Sequence, residues 1–155
     1  MLRLAMLAIL TLPLAGLKAQ SAGAAALSRA DSLAMLRAIS DSLMQLAHSQ
    51  RRTGDARLLV SDTLLSDALR AERKRVELVP PRPVITCPFR DEQAGSGFII
   101  SASISVEAGK PPQVSYGISC KHSYDKYWFY EEVLLEMERD GNRWKVARVL
   151  EYSIT

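Results

Sequence analysis

Cys87 and Cys120 are the two thiols of a 155-residue chain, and their pairing is the first chemistry the residue types suggest. An even pair in a chain bound for an oxidising compartment reads as a disulfide, and two cysteines allow only one intramolecular connectivity. Closing a loop of roughly 30 residues stabilises a fold by about 3–4 kcal/mol in the chain-entropy treatment. A metal pair or a reactive thiol is the competing reading, but neither histidine nor acid sits at ligand spacing around either cysteine. The only histidines, His48 and His122, lie too far apart in sequence for a local metal motif. Gly95-Ser96-Gly97 lacks the spacing of a phosphate-binding loop, and there is no nucleophile elbow. No catalytic residue, metal ligand or cofactor is therefore assigned.

A second set of residues depends on a sheet. Glu131 and Arg148 interrupt otherwise apolar alternate positions, so they mark the polar floor of a candidate pocket, with an acid or base in an apolar setting. A partly exposed ion pair near the sheet edge is the plainer explanation. Trp128 and Tyr130, in an aromatic run flanked by Lys121 and Lys126, alternate to the opposite face as a candidate contact surface. Arg70, Arg73, Lys74 and Arg75 form a basic cluster. It reads as a helix end whose dipole favours positive charge, with a membrane surface or polyanion as the alternative partner.

Residues 96–155 must position most of these groups. Phe98, Ile100, Ala102, Ile104 and Val106 alternate with Ser101, Ser103, Ser105 and Glu107. Val114, Tyr116, Ile118 and Cys120 repeat that period, which predicts antiparallel strands with one buried face. Asp140-Gly141 joins the last two strands as a hairpin. With those two residues as the loop, Met137 faces Trp144, Leu135 faces Val146, Val133 faces Arg148 and Glu131 faces Leu150. On the other face Glu138 meets Arg143 and Glu136 meets Lys145, and a one-residue slip would invert each strand.

The first half predicts helices over 28–78. Ser28 and Asp31 fit a capping box, and Leu33, Leu36, Ile39, Leu43 and Leu46 recur at helical spacing up to a stop at Gly54. Residues 56–60 fit a helix start or an extended segment. Ser61-Asp62 offers a second cap ahead of Leu65, Ala68, Leu69 and Val76. Pro80, Pro81 and Pro83 stiffen a connector over 79–95, within which Val84–Cys87 fits a short edge strand.

Residues 1–19 stand apart. A basic start, an apolar run from Leu4 to Leu17 and Ala19 before the cleavage point are the pattern of a secretory signal peptide. The run is too short for a membrane span, and 20–27 reads as a flexible tether. Arg3 and Lys18 leave with the leader and no acid does, so 20 basic residues fall to 18 against 17 acidic, a net charge of +1. A near-neutral mature chain removes the main argument for nucleic-acid binding.

N-terminal helices followed by a curved antiparallel sheet ending in Gly141-Asn142-Arg143-Trp144-Lys145-Val146-Ala147-Arg148-Val149-Leu150 resemble the NTF2-like (SnoaL-like, cystatin-superfold) family, chiefly over 127–155. The resemblance implies a cone with a pocket between sheet and helices, lined by Glu131, Arg148, Tyr116 and Tyr127. Such domains place strands between helices and sheet, where only Val84–Cys87 qualifies here, and the acid–base dyads of catalytic members have no equivalents. The expected fold is α+β: two N-terminal helices packed on one face of a four-stranded antiparallel meander sheet, a single domain over 28–155. The expected function is that of an exported, non-enzymatic domain binding a protein or small-molecule partner, with an NTF2-like pocket protein as the alternative.

Overall fold

The computed structural model describes residues 27–50, 57–81, 85–88, 96–121 and 128–155. The proposed leader and most of the tether, the stop at Gly54, Val84, the histidine at 122 and Tyr127 lie outside the described residues. Leu27, the tether's last residue, packs against the core.

The helical half begins as its sequence dictates. The Ser28 hydroxyl accepts the Asp31 amide at 3.0 Å and starts α1 (Arg29–Ala38). The apolar stripe then continues through Ile39 into α2 (Ser40–Ser49), but the backbone turns at Ile39 (φ −97°, ψ −4°), so one expected helix becomes two. Residues 57–60 are extended, as β1 (Arg57–Val60). Asp62 caps α3 (Thr63–Ala71), its carboxylate accepting the Leu65 amide at 2.7 Å. The helix does not run to 78: Arg73 takes φ +58°. The Lys74 and Arg73 amides donate back to the Leu69 and Arg70 carbonyls, each at 2.9 Å, which is the terminating motif usually built on glycine. The chain then forms β2 (Glu77–Leu78).

Four longer strands follow: β3 (Gly97–Ser105), β4 (Gln113–Lys121), β5 (Trp128–Asp140) and β6 (Arg143–Ile154). They form the expected antiparallel meander, yet they are only part of the sheet. All six strands make one mixed sheet in the order β2-β1-β3-β4-β5-β6, with β1 parallel to both β2 and β3. The architecture is thus three helices and a six-stranded mixed sheet, not two helices on a four-stranded meander. The reason is physical: Leu58, Leu59 and Val60 are all buried, and a short apolar run carries no period that separates strand from helix. Of the expected edge strand Val84–Cys87, the described residues Ile85–Cys87 form an isolated parallel bridge, Thr86 to Lys121.

The helices cover one face of the sheet. α3 lies against β1 and β2, α2 over β3 and β4, and α1 between α3 and β6. Phe98, Ile100, Val114, Ile118, Leu135 and Met137 meet Met35, Ile39 and Leu43 in the core. Ser101, Ser103, Ser115 and Ser119 alternate to the other face.

The hairpin carries the sharpest correction. Its loop is Gly141-Asn142, with Asp140 paired to Arg143. Gly141 takes φ +60° at the first loop position, where type II′ hairpins place glycine. Moving the loop by one residue shifts each partner by two, so faces near the turn survive: Glu138 meets Lys145, and Met137 meets Val146 rather than Trp144. Register then shifts twice, between Glu136 and Met137 and between Leu134 and Leu135. Ala147 and Leu150 are the extra residues of β6. Each bulge inverts the strand's faces and two restore them. Only Arg148 and Val149 are left exchanged.

Candidate functional site

That exchange decides the fate of the expected pocket pair. Arg148 leaves the helix-side face and pairs across the other face with Glu136, N–O 2.8 Å. The Glu136 hydrogen bond, ahead of its charge, holds the Arg148 pKa above its ordinary value. Glu131 stays on the helix-side face, 1% exposed, between Ile118 of β4 and Ile154 of β6. Glu131 and Arg148 are therefore not brought together.

The partner Glu131 does have was not anticipated. Tyr152, opposite Val133, donates its hydroxyl to Glu131 Oε1. That hydrogen bond, then burial and the carboxylate's charge, raises the Tyr152 pKa. Glu131 Oε2 is buried and has no hydrogen-bond partner among the described residues. Buried acceptors are nearly always paired, so this oxygen is an open position. Tyr152 stands opposite Val133, two residues along β5 from Glu131 and on the same face, a position the sequence reading does not single out. Tyr116, the other described member of the expected pocket, is also on the helix side and buried. Burial raises its pKa, while a hydrogen bond with Ser42 of α2 opposes the shift.

Beside Glu131 the helix cover stops. α1 reaches only the start of β6, where Trp144 Nε1 donates to Asp31 at 3.1 Å and Arg139 lies over the indole ring. Further along the same face, Val149 is 62% exposed, and Tyr152 and Ile154 are 55% exposed each. The result is an uncovered apolar strip along an edge strand, with a buried carboxyl at its inner margin. The outer-face candidates are elsewhere. Trp128 is 46% exposed and Tyr130 is half-buried; burial, then Glu132, raises the Tyr130 pKa.

A groove of about 610 Å³ lies on the helix-side face, toward the opposite edge of the sheet. Its walls are Asp41, Gln45 and His48 of α2 and Arg73 to Arg75 after α3, and Met44 and Leu58 form its floor. Sequence reading placed these basic residues in the last turns of a solvated helix. They instead follow the helix, because Arg73 turns the chain.

The disulfide between Cys87 and Cys120 forms, with a Cα–Cα distance of 4.9 Å, consistent with an extracytoplasmic protein. It pins Ile85–Cys87 into the gap where β3 and β4 diverge. The Gly97 amide donates to the Thr86 carbonyl, the Cys87 amide to Lys121 and the Lys121 amide to Ile85. Among the described residues, no three His, Cys, Asp or Glu side chains converge as a metal site, and no helix is long and apolar enough to cross a membrane. Comparison with family models, with curated proteins and with solved structures finds no match to this chain.

Proposed function

We propose that this chain is an exported binding domain rather than an enzyme, and that it binds through the helix-side face of β5 and β6. The observation that carries the reading is Glu131: a buried carboxyl with one open oxygen beside an uncovered apolar strip. Binding sites combine apolar walls with a few placed polar groups, and this one calls for an apolar body bearing a single hydrogen-bond donor. Tyr152 covers the carboxyl and is itself exposed, so rotation of one phenol opens the way. Export rests on the signal pattern of residues 1–19, supported by the disulfide. An NTF2-like layout is the accompanying reading. In its favour, β1 lies between α2 and α3 and β2 between α3 and the meander, where the sequence alone offered only Val84–Cys87 as a strand ahead of the sheet.

Titrations with 2-naphthylmethylamine and with 2-methylnaphthalene, on the wild type and on Glu131→Leu, test it. The amine is expected to bind the wild type and to lose about tenfold on substitution, the scale of one hydrogen bond to a carboxyl group. The hydrocarbon should bind both proteins alike. Equal amine affinity for the two proteins, or no amine binding at all, would reject the site.

A further inference from the structure

We infer that the groove between α2, Leu58 and Arg73–Arg75 is a second, independent binding site, which takes a phosphate group carried on an apolar body. Three cations face one carboxylate across it, and Lys74 is committed to Asp41. The side chains of Arg73 and Arg75 have no hydrogen-bond or ion-pair partner among the described residues. Each guanidinium offers parallel N–H donors in a fixed fork, and the His48 ring and the Gln45 amide stand on the facing helix. Two forks together present four parallel N–H donors, which would take up every acceptor site of a carboxylate from two directions, whereas a phosphate group has a separate pair of oxygens to offer each fork. Met44 and Leu58 beneath them are buried apolar side chains that suit the non-polar part of the same ligand. The volume falls within the range of small-molecule sites.

The backbone supports the assignment. Arg73 holds a left-handed conformation (φ +58°) that glycine adopts at no steric cost. Arginine occupies that position, and the turn it makes carries the basic segment toward α2. The Lys74–Asp41 pair then ties that segment to the helix, which keeps Arg73 and Arg75 beside the groove.

The test uses the full, disulfide-bonded chain with phenyl phosphate, inorganic phosphate and phenylacetate in calorimetric titrations. Sedimentation with phosphatidylglycerol or phosphatidylcholine vesicles runs beside them. Phenyl phosphate is expected to bind more tightly than the other two. Arg73→Gly with Arg75→Ala should weaken it by about tenfold or more, the scale of losing charge-assisted hydrogen bonds. Arg73→Gly alone should raise the thermal midpoint by about 3–5 °C as strain is relieved, so lost binding reads as lost charge and not lost fold. Arg75→Glu, an exposed change that leaves the turn alone, should abolish binding as well. Binding of phenyl phosphate points to a soluble ligand. Binding of phosphatidylglycerol vesicles alone points to a lipid headgroup, and either upholds the site. Phenylacetate binding as tightly as phenyl phosphate overturns the assignment. So do equal binding of both vesicle types, unchanged affinity in the double variant, or no binding of any probe.

Discussion

Breaking the Cys87–Cys120 bond should remove a large part of this domain's stability. The cysteines are 33 residues apart in sequence, and the loop-closure expression for that length gives about 3.8 kcal/mol at 25 °C. A domain of this size is stable by roughly 5–15 kcal/mol in total, so the loss is a quarter or more. Local geometry says where it will be felt. Ile85–Cys87 is held between β3 and β4 by three backbone hydrogen bonds, of 2.7 Å to the Ile85 carbonyl and 3.0 Å each to those of Thr86 and Lys121. Once the bond is cut, these hydrogen bonds are what holds the wedge among the described residues. Urea unfolding of the oxidised protein, the reduced protein and a Cys87→Ala/Cys120→Ala variant gives the measurement. Both bond-free forms should lose about 3–4 kcal/mol, with a steeper denaturant dependence because their unfolded chains are less compact. Hydrogen exchange at the Gly97, Cys87 and Lys121 amides should accelerate before that of central β4. A loss below about 1 kcal/mol, or uniform acceleration across the sheet, would refute the reasoning.

Two further outcomes follow from single contacts. Hydrogen bonds from Ser28 and then Trp144 hold the Asp31 pKa below its ordinary value of 3.8. The resulting stabilisation is complete above that value and is lost as pH falls through the folded-state pKa. The midpoint difference between wild type and Asp31→Asn should therefore shrink below pH 3.8, and a difference constant from about pH 5 to 2 would contradict this. Gly117 allows β4 and β5 to approach: an added Cβ would lie 2.4 Å from the Glu131 carbonyl oxygen, a contact only backbone movement can relieve. Gly117→Ala should cost about 1–3 kcal/mol in chemical denaturation, and a neutral result would show the strands separating freely.

Local chemistry was legible wherever it acts over a few residues. Ser28 and Asp62 cap the helices their types announced. The serine alternation of β3 and β4 places one face in the core, and the two cysteines pair. Legibility failed where identity is settled by distant partners. Arg57–Val60 is a strand because β2 and β3 flank it in parallel, and two-residue β2 has no pattern of its own. Arg73 ends a helix without the glycine that usually signals an end. The hairpin was recognisable, but its register was not. A bulge adds one residue without changing composition, so strict alternation carried the wrong pairing past Ala147.

The candidate site shows the same division. Sequence alone determined that Glu131 sits among apolar alternate positions, where burial of a carboxyl is costly and therefore informative. It also determined that both Glu131 and Arg148 lie on strands of one hairpin. Only the tertiary structure decided that the bulge at Ala147 turns Arg148 away to Glu136, and that the Tyr152 hydroxyl reaches Glu131 instead. Only the tertiary structure decided, too, that α1 stops at Trp144 and leaves Val149, Tyr152 and Ile154 uncovered. The physical reason is common to both. Side-chain type and spacing set what a segment prefers by itself. Which face is covered, and which partner stands opposite, depends on strand register and helix placement, summed over contacts far apart in the chain.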